Sequence, residues 1–493
     1  MAWEGRDRSA RPVAVAGDGT LHEPPVRRRR VLVVTGDVVG PGMAGPAIRA
    51  WHVAGCLAEE HDVVLATTSG RCRGAGVGFR LVAPDATGFE QLAAWCEIVV
   101  VQGFVLLHVP ALRRADRIMI VDGYDILHLE ALEFSKRTTD GSRAAHVETS
   151  LEVLNEQAAR GDFFVCASEK QRDYWIGHLS ALGRVNAATY GHDPLLRSLV
   201  DVVPFGLPPG APVRTGPGPR ETLEGIGPDD DVLLWAGGIY DWLDPTTLVR
   251  AVERLRHRRP QVRLVFMGTR HPNPEVPIMA MAEEARDVAR SLGIDGTHVF
   301  FNDGWVDYDD RQNWLLDADV GVSTHFEHAE TAFAFRTRLL DYLWAGLPVV
   351  ATSGDAFADL IVREGLGRVV EPEDVGGLEQ ALDELLSDPE AVAACRSNVA
   401  RVRGGFEWPT ALGPLLRFCR DPARAPDRAL SASRAEVHGR LARLKRRSRT
   451  AASLYAQGGA PAVLEVARQQ VRRARRRAAA RRGPSGTGYG DAY

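Results

Sequence analysis

Acidic and basic side chains with useful chemistry are concentrated between residues 330 and 346. Glu330 leads into a predicted helix that has Arg336 and Arg338 near its start, Asp341 further along and a stop at Gly346. A carboxylate offers two acceptor oxygens, which suit the two hydroxyls of a vicinal diol. Arginines near a helix N-terminus suit phosphate, because the guanidinium and the helix dipole both attract anions. An exposed, solvated helix face would have the same arginines, so the pattern alone leaves both interpretations open.

Two glycine-rich segments each follow a predicted strand and precede a predicted helix. They are residues 36–45 and 235–242. Glycine permits close approach of the backbone to a ligand, and the N–H groups of such a turn can hold phosphate oxygens. A tight strand-to-helix turn explains either segment equally well. The glycines that we expect to contact phosphate or acceptor are Gly40, Gly42, Gly45, Gly237 and Gly238.

Apolar runs of strand length alternate with helical patterns, which predicts two parallel, doubly wound sheets. The fold class is α/β, with two Rossmann-like domains that face a cleft and a basic helical C-terminal extension. Ligands of such sheets bind beyond the carboxyl ends of the strands. The predicted segments are a disordered tail (1–29), a first domain (30–208), a linker (209–224), a second domain (225–405), a crossover helix (406–428) and a basic tail (429–493).

The composition indicates a cytoplasmic protein with more than one core. The chain has 493 residues, of which 45% are hydrophobic, which is too long for one core and suits two domains with tails. Its six cysteines form no C-x-x-C pair and no zinc-ligand spacing, which indicates buried thiols in a reducing compartment. Neither a signal peptide nor an uninterrupted membrane-spanning run is expected.

The C-terminal tail differs in charge from the rest of the chain. Residues 440–482 have fourteen Arg or Lys and one acid, Glu465, in a chain with a net charge of −4. The tail is expected to be a solvated helix, a nucleic-acid patch or an anchor to anionic lipid. Clustered arginines between apolar residues favour lipid contact on the inner face of the membrane. The acidic body and the lack of a nucleic-acid motif argue against nucleic acid.

The segment from Glu330 to Val350 resembles the E-x7-E motif of the family 4 (group 1) retaining glycosyltransferases, which have the GT-B fold. In that family the second glutamate precedes A-x-A-x-G-x-P-V and holds both ribose hydroxyls of a nucleotide sugar. Counting back from Gly346 places Asp341 at that position. The pattern is similar to an actinobacterial-type member in which this motif is degenerate.

The motif departs from the family at its first glutamate, whose position is occupied by Phe333. Glu330 is the expected replacement, on a rebuilt loop, and Glu327 is the alternative. We therefore expect Glu330 to lie beside the reacting sugar.

The two cations that the family has near the glycine turn are also missing, because Gly238 and Leu243 occupy their positions. Arg336, Arg338 or Arg270 is expected to bind the diphosphate instead.

Other segments fit the same resemblance. Trp305 and Val306 fall where the family contacts the nucleobase, Trp305 by stacking and Val306 through its backbone, although Trp305 is equally typical of a core residue. Asp317 and Asp319 spell D-x-D, the metal motif of another glycosyltransferase class. They end a helix and enter a buried strand, so we expect no metal and no cofactor.

In the first domain, Asp122 follows a strand near the place where relatives often have a histidine beside the reacting sugar. It is expected to bind the donor sugar or to orient the acceptor. His128 and Glu130 are alternatives. Asp122 or Asp125 could equally be a helix cap.

The resemblance implies transfer of a sugar, with retention, from a nucleotide-diphosphate sugar to a glycan, lipid-linked or cell-wall acceptor. Two alternatives remain at this level. One is a nucleotide-sugar 2-epimerase of the same fold, and the other is a catalytically decayed scaffold or binding protein.

Overall fold

The computed structural model describes residues 27–428, except residue 75 and the segments 138–142 and 271–278. Most of the predicted N-terminal tail and the whole basic tail, 429–493, lie outside the described residues. The sequence pattern predicts a long helix over about 276–292, and the first residues of that range also lie outside the described ones.

The first sheet has seven parallel strands in the order β3-β2-β1-β4-β5-β6-β7. Most of its strands are short apolar runs that are buried on both faces, as parallel sheets covered by helices require. The strands are β1 Arg30–Thr35, β2 Asp62–Thr67, β3 Arg80–Val82, β4 Ile98–Gln102, β5 Ile118–Asp122, β6 Phe163–Cys166 and β7 Val200–Val202.

The second sheet has six parallel strands in the order β10-β9-β8-β11-β12-β13. The strands are β8 Asp231–Trp235, β9 Val262–Phe266, β10 Val299–Phe301, β11 Val320–Ser323, β12 Val349–Thr352 and β13 Gly367–Val370. In both sheets the strand order reverses beside the first strand, between β1 and β4 and between β8 and β11. A crevice for ligands opens beyond the carboxyl ends of the strands at such a reversal. The predicted fold class of two Rossmann-like sheets is confirmed.

Helices cover the sheets and join their strands. Those of the first half are α1 Gly45–Ala58, α2 Ala86–Trp95, α3 Val105–His108, α4 Pro110–Arg114, α5 Leu127–Phe134, α6 Arg143–Arg160, α7 Glu169–Ala181, α8 Ala187–His192 and α9 Pro219–Thr222. Those of the second half are α10 Pro245–Leu255, α11 Ala280–Ser291, α12 Arg311–Leu316, α13 Ala329–Phe333, α14 Arg338–Ala345, α15 Ala356–Glu364, α16 Val375–Ser387, α17 Pro389–Val402, α18 Trp408–Ala411 and α19 Gly413–Arg420. In the described part of the chain, none of the helices is long and apolar enough to cross a membrane.

Helix α14 is fixed against the second sheet by Tyr342. The buried Tyr342 hydroxyl accepts a hydrogen bond from the Ala236 N–H (2.9 Å) and lies 2.8 Å from the carbonyl oxygens of Leu234 and Val322. Its ring covers Gly321, where an added Cβ would lie 2.4 Å from the ring. Only glycine permits this approach. Gly321 therefore determines how closely α14 lies against the sheet and where the side chains of α14 are placed.

Two local predictions differ from the structure. Glu330 is on the five-residue helix α13 and not on a loop, and the motif helix, which the sequence pattern predicts from about residue 335, begins at Arg338. The crossover segment is two short helices, α18 and α19, as the helix-breaking residues Pro409, Gly413 and Pro414 predict for its first half. The crossover does pack on the first sheet, where Phe418 stacks on Phe163 with ring centroids 4.4 Å apart.

Candidate functional site

A cavity of about 130 Å³ lies between the carboxyl ends of the two sheets. Residues from both sheets line it, and seven of the predicted site residues are among them: Gly45, Gly237, Gly238, Trp305, Val306, Arg338 and Asp341. Loops that are far apart in the sequence therefore meet at one cleft, which we call the donor cavity.

Arg338 brings an uncompensated positive charge to the donor cavity. Its Nη2 donates to the carbonyl oxygen of Gly238 (2.8 Å), and its guanidinium lies 4.4 Å from the centre of the Trp235 ring. Its Nη1 is buried and has no hydrogen-bond partner among the described residues. Burial lowers the pKa of Arg338 to about 10, and no carboxylate raises it in compensation. An anion in the cavity would supply the missing partner.

Asp341 also faces the donor cavity, with its side chain 28% exposed. Its Oδ1 accepts a hydrogen bond from Arg311 Nε (3.1 Å). The buried Arg311 guanidinium lies over the rings of Tyr308 and Trp344, 3.6 and 4.5 Å from their centres. The carboxylate is therefore held in place and remains accessible from the cleft.

An apolar wall closes another side of the donor cavity. It includes Trp305, Val306 and Met267. At Gly268, which follows β9, an added Cβ would lie 3.2 Å from the Trp305 ring, so the ring packs closely on this backbone. Such a wall suits a flat heteroaromatic ring.

The glycine turn after β8 has the conformation that glycine permits. Gly237 has φ +79°, and an added Cβ would meet nothing within 4 Å, so the backbone conformation is what favours glycine here. Its neighbour Gly238 lines the donor cavity as well.

Residues of the first glycine-rich loop line two different cavities. Gly45, at the start of α1, lines the donor cavity. Gly40 lines a neighbouring groove of about 540 Å³, together with Trp51 and Trp344. Gly42 lines neither of them.

Glu330 and Arg336 lie in a smaller pocket of about 40 Å³ between the two domains, which we call the acidic pocket. They form a buried, bidentate ion pair with distances of 3.1 and 2.7 Å. Asp125 and Glu130 of the first domain line the same pocket, as does Phe333. Arg336 is therefore bound to a carboxylate, whereas Arg338 is not.

Asp122 and His128 lie outside these three cavities and have protein partners. Both carboxylate oxygens of the buried Asp122 contact Arg49 Nε, at 2.9 and 2.8 Å. His128 Nδ1 is 2.9 Å from the Tyr174 hydroxyl, and burial lowers the pKa of His128. The placement favours a positioning role for Asp122, since its carboxylate is already occupied.

Arg311 lines the donor cavity but has no signal in the sequence, because it belongs to no motif that could be recognised. Tyr240 also lines the cavity, and it lies in the glycine-rich segment 235–242.

Asp317 and Asp319, the D-x-D pair, both contact Arg220, with Arg220 Nη2 2.8 Å from Asp319 Oδ2.

The second sheet lies in the part of the chain that matches a known family of proteins. Residues 230–388 match the family model described as glycosyl transferases group 1. This match spans β8 to α16 and includes Gly237, Arg338 and Asp341. A curated relative, D-inositol 3-phosphate glycosyltransferase 2 of Catenulispora acidiphila, is 27% identical over 223 residues, which are 44% of this chain and 49% of the relative. The chain thus spans about half the length of that relative.

Solved structures agree in fold over a longer range. Sucrose-phosphate synthase from Thermosynechococcus elongatus has a TM-score of 0.56 and 17% identity, and the match covers 80% of this chain and all of that one. The Anabaena protein HepE in complex with UDP-glucose has a TM-score of 0.58 and 15% identity, over 80% of this chain and 99% of that one. At such identities the likeness establishes the GT-B architecture alone.

Proposed function

We propose that this protein is a glycosyltransferase that moves a sugar, with retention of anomeric configuration, from a nucleotide-diphosphate sugar to an acceptor. The observation that carries the proposal is the donor cavity. It combines an apolar wall at Trp305, an accessible carboxylate at Asp341 and the unpaired guanidinium of Arg338 beside the glycine turn. These groups suit a nucleobase, a ribose diol and a diphosphate, respectively.

Group transfer at this site needs stabilisation of the leaving diphosphate. The bond from the sugar C1 to the diphosphate oxygen breaks, and a bond from the acceptor oxygen to C1 forms on the same face. The acceptor proton passes to the diphosphate. Arg338 and the N–H groups of Gly237 and Gly238 stabilise the charge that develops on the leaving group. No metal and no further cofactor are needed for this step.

The acceptor belongs to a glycan, lipid-linked or cell-wall class in this proposal, and the protein acts in the cytoplasm.

The basic tail, 429–493, would hold the protein on the inner face of the membrane. Binding of the full chain to anionic vesicles at low and high salt, with and without residues 430–493, tests this part. Equal binding by the truncated chain would contradict it.

Two other functions share this architecture. The matched family and the named relative are transferases, which supports transfer over epimerisation at C2. A decayed scaffold would bind no donor, whereas the unpaired Arg338 favours a site that still binds an anion.

The deciding experiment is a panel of nucleotide sugars offered to the purified protein, with release of nucleotide as the measurement. Asp341→Ala and Glu330→Ala should lose turnover. A protein that turns over no donor and shows no thermal shift with UDP, GDP or dTDP would be a scaffold.

A further inference from the structure

Tyr240 follows the glycine turn after β8 and lines the donor cavity. Its ring stacks on Trp242, with the ring centroids 4.9 Å apart and an angle of 14° between the two planes. This stack uses the ring alone, so a phenylalanine at the same place would pack equally well. The fold therefore has no need of the hydroxyl group that Tyr240 brings to the cavity.

The Tyr240 hydroxyl lies over the backbone of Gly238. A Cβ added at Gly238 would lie 3.7 Å from the hydroxyl oxygen and 3.5–3.6 Å from the adjacent ring carbons. Unlike Gly237, Gly238 has no positive φ, so its backbone conformation alone does not call for glycine. The absence of a side chain at Gly238 leaves the hydroxyl beside bare backbone on the cavity side of the turn.

Arg338 approaches the same turn. Its Nη2 donates to the carbonyl oxygen of Gly238 (2.8 Å), and its buried Nη1 has no hydrogen-bond partner among the described residues. The Tyr240 phenol and the Arg338 charge are close enough to influence each other's ionisation. A diphosphate that pairs with Arg338 therefore comes within reach of the phenol O–H.

The Tyr240 hydroxyl is free to donate. Over residues 27–428, with the gaps given above, it makes no hydrogen bond to another residue, and only charges at a distance act on it. A polar group at a half-buried site is costly when it has no partner, which favours an acceptor supplied by a ligand. Burial raises the pKa of Tyr240 to about 12, so the phenol keeps its proton near neutral pH.

Charges around the phenol place it at one end of the donor cavity. The Arg338 charge opposes the rise of the Tyr240 pKa that burial causes, whereas the charges of Glu130 and Asp125 add to it. Glu130 and Asp125 line the acidic pocket. The hydroxyl thus lies on the side of the donor cavity that is nearer to the acidic pocket.

We propose that the Tyr240 hydroxyl donates a hydrogen bond to a phosphate oxygen of the nucleotide-diphosphate sugar, beside Arg338, and so stabilises the diphosphate as it leaves. This inference rests on the proposed function, to which it adds a catalytic residue. A hydrogen bond to a phosphate oxygen strengthens as negative charge grows on that oxygen. The phenol keeps its own proton, and the acceptor proton still passes to the diphosphate.

The test uses Tyr240→Phe, which removes the hydroxyl and keeps the ring. Tyr190→Phe, at a tyrosine of α8 that is 56% exposed, is the matched control. Calorimetry compares UDP, GDP or dTDP, whichever the wild type binds most tightly, with the nucleoside that has the same base. Steady-state kinetics then gives kcat for the nucleotide sugar that the wild type turns over.

We expect Tyr240→Phe to lose about tenfold in affinity for the diphosphate, the range for one hydrogen bond to a charged group, while nucleoside affinity stays within about twofold. The value of kcat should fall by about tenfold or more, because the hydrogen bond is strongest in the transition state. The thermal midpoint should not fall, since the hydroxyl has no partner in the protein. The control should match the wild type in every measurement.

Diphosphate affinity in Tyr240→Phe equal to that of the wild type would overturn the inference alone. A lower thermal midpoint, with nucleoside and diphosphate affinity reduced equally, would also overturn it by assigning the hydroxyl to the fold. A wild type that binds the diphosphate but turns over no donor would overturn the proposed transfer, and the calorimetry would still decide the contact. A wild type that binds no nucleotide would overturn both.

Discussion

Arg311 Nε lies 3.1 Å from Asp341 Oδ1, although the two residues are on different helices, α12 and α14. Arg311 is itself held between the rings of Tyr308 and Trp344. The carboxylate that faces the donor cavity is thereby oriented before a ligand arrives, which lowers the entropic cost of binding.

This pair should be coupled energetically. Arg311→Met and Asp341→Asn are each expected to destabilise the fold, and the double variant should be more stable than the sum of the two effects predicts. The coupling should be about 0.5–3 kcal/mol, as for contacting charged residues. Denaturant unfolding of the four proteins measures it. Additive effects would mean that the contact contributes nothing to stability.

Loss of the Asp341 carboxylate should weaken nucleotide binding. We expect Asp341→Ala to reduce the affinity for a nucleoside diphosphate by about 10- to 100-fold, the range for one or two charge-assisted hydrogen bonds. Calorimetry with wild type and variant is the measurement. Asp359→Asn, an exposed acid on α15, is the control and should leave the affinity unchanged.

Arg338 should act on phosphate and not on the rest of the nucleotide. Arg338→Met is expected to weaken binding of a nucleoside diphosphate by about tenfold or more, with little effect on the nucleoside, because one charged contact is lost. The thermal midpoint should not fall, since a buried cation without a counter-ion does not stabilise the fold. The exposed Arg250 of α10 provides the control Arg250→Met. Equal losses for nucleoside and diphosphate would contradict the phosphate role.

Asp125 should reduce stability as the pH rises. Its pKa is about 7 in the folded protein, above the ordinary value of an unfolded aspartate, because burial disfavours the charge. The folded state therefore binds more protons between about pH 4 and 7, and stability should decline across that window. Asp125→Asn removes this decline and should raise the thermal midpoint at pH 8 more than at pH 4. A variant with the same pH profile as the wild type would rule out a buried acid here.

His52 should reduce the stability of the fold as the pH falls, which is the opposite of the effect expected for Asp125. Burial, with some help from Arg311, lowers its pKa to about 3, so the unfolded chain binds a proton below about pH 6.5 that the folded protein does not. Stability should therefore fall as the pH drops from about 6.5 towards 3.

His52→Phe should flatten the pH dependence of the unfolding free energy while keeping the stack on Trp408, whose ring centre is 4.6 Å away. Unfolding titrations at several pH values measure the slope. An unchanged slope would exclude His52 as its source.

The sequence was enough to predict the strands and the position of Asp341. The strands were predictable because runs such as 31–34 are apolar on both faces, and parallel sheets alone bury both faces. The place of Asp341 followed from its fixed offset to Gly346.

The partners of these residues were not predictable. Arg311 reaches Asp341 from another helix, and nothing in the local pattern at residue 311 indicates that contact. Arg336 and Arg338 are two residues apart, and the sequence pattern predicts the same role for both. In the structure, Arg336 is bound by Glu330, whereas Arg338 faces the donor cavity. Only the three-dimensional course of the chain between α13 and α14 distinguishes them.

Tyr308 joins the two halves of the protein as well as supporting Arg311. Its backbone N–H donates to the Pro41 carbonyl oxygen (2.8 Å), and its hydroxyl lies 2.9 Å from His52 Nε2. The side chain that holds Arg311, and through it Asp341, is therefore also part of the contact between the halves. His52 in turn stacks on the crossover residue Trp408, so a substitution at Trp408 is expected to disturb the support of Asp341 from more than one contact away.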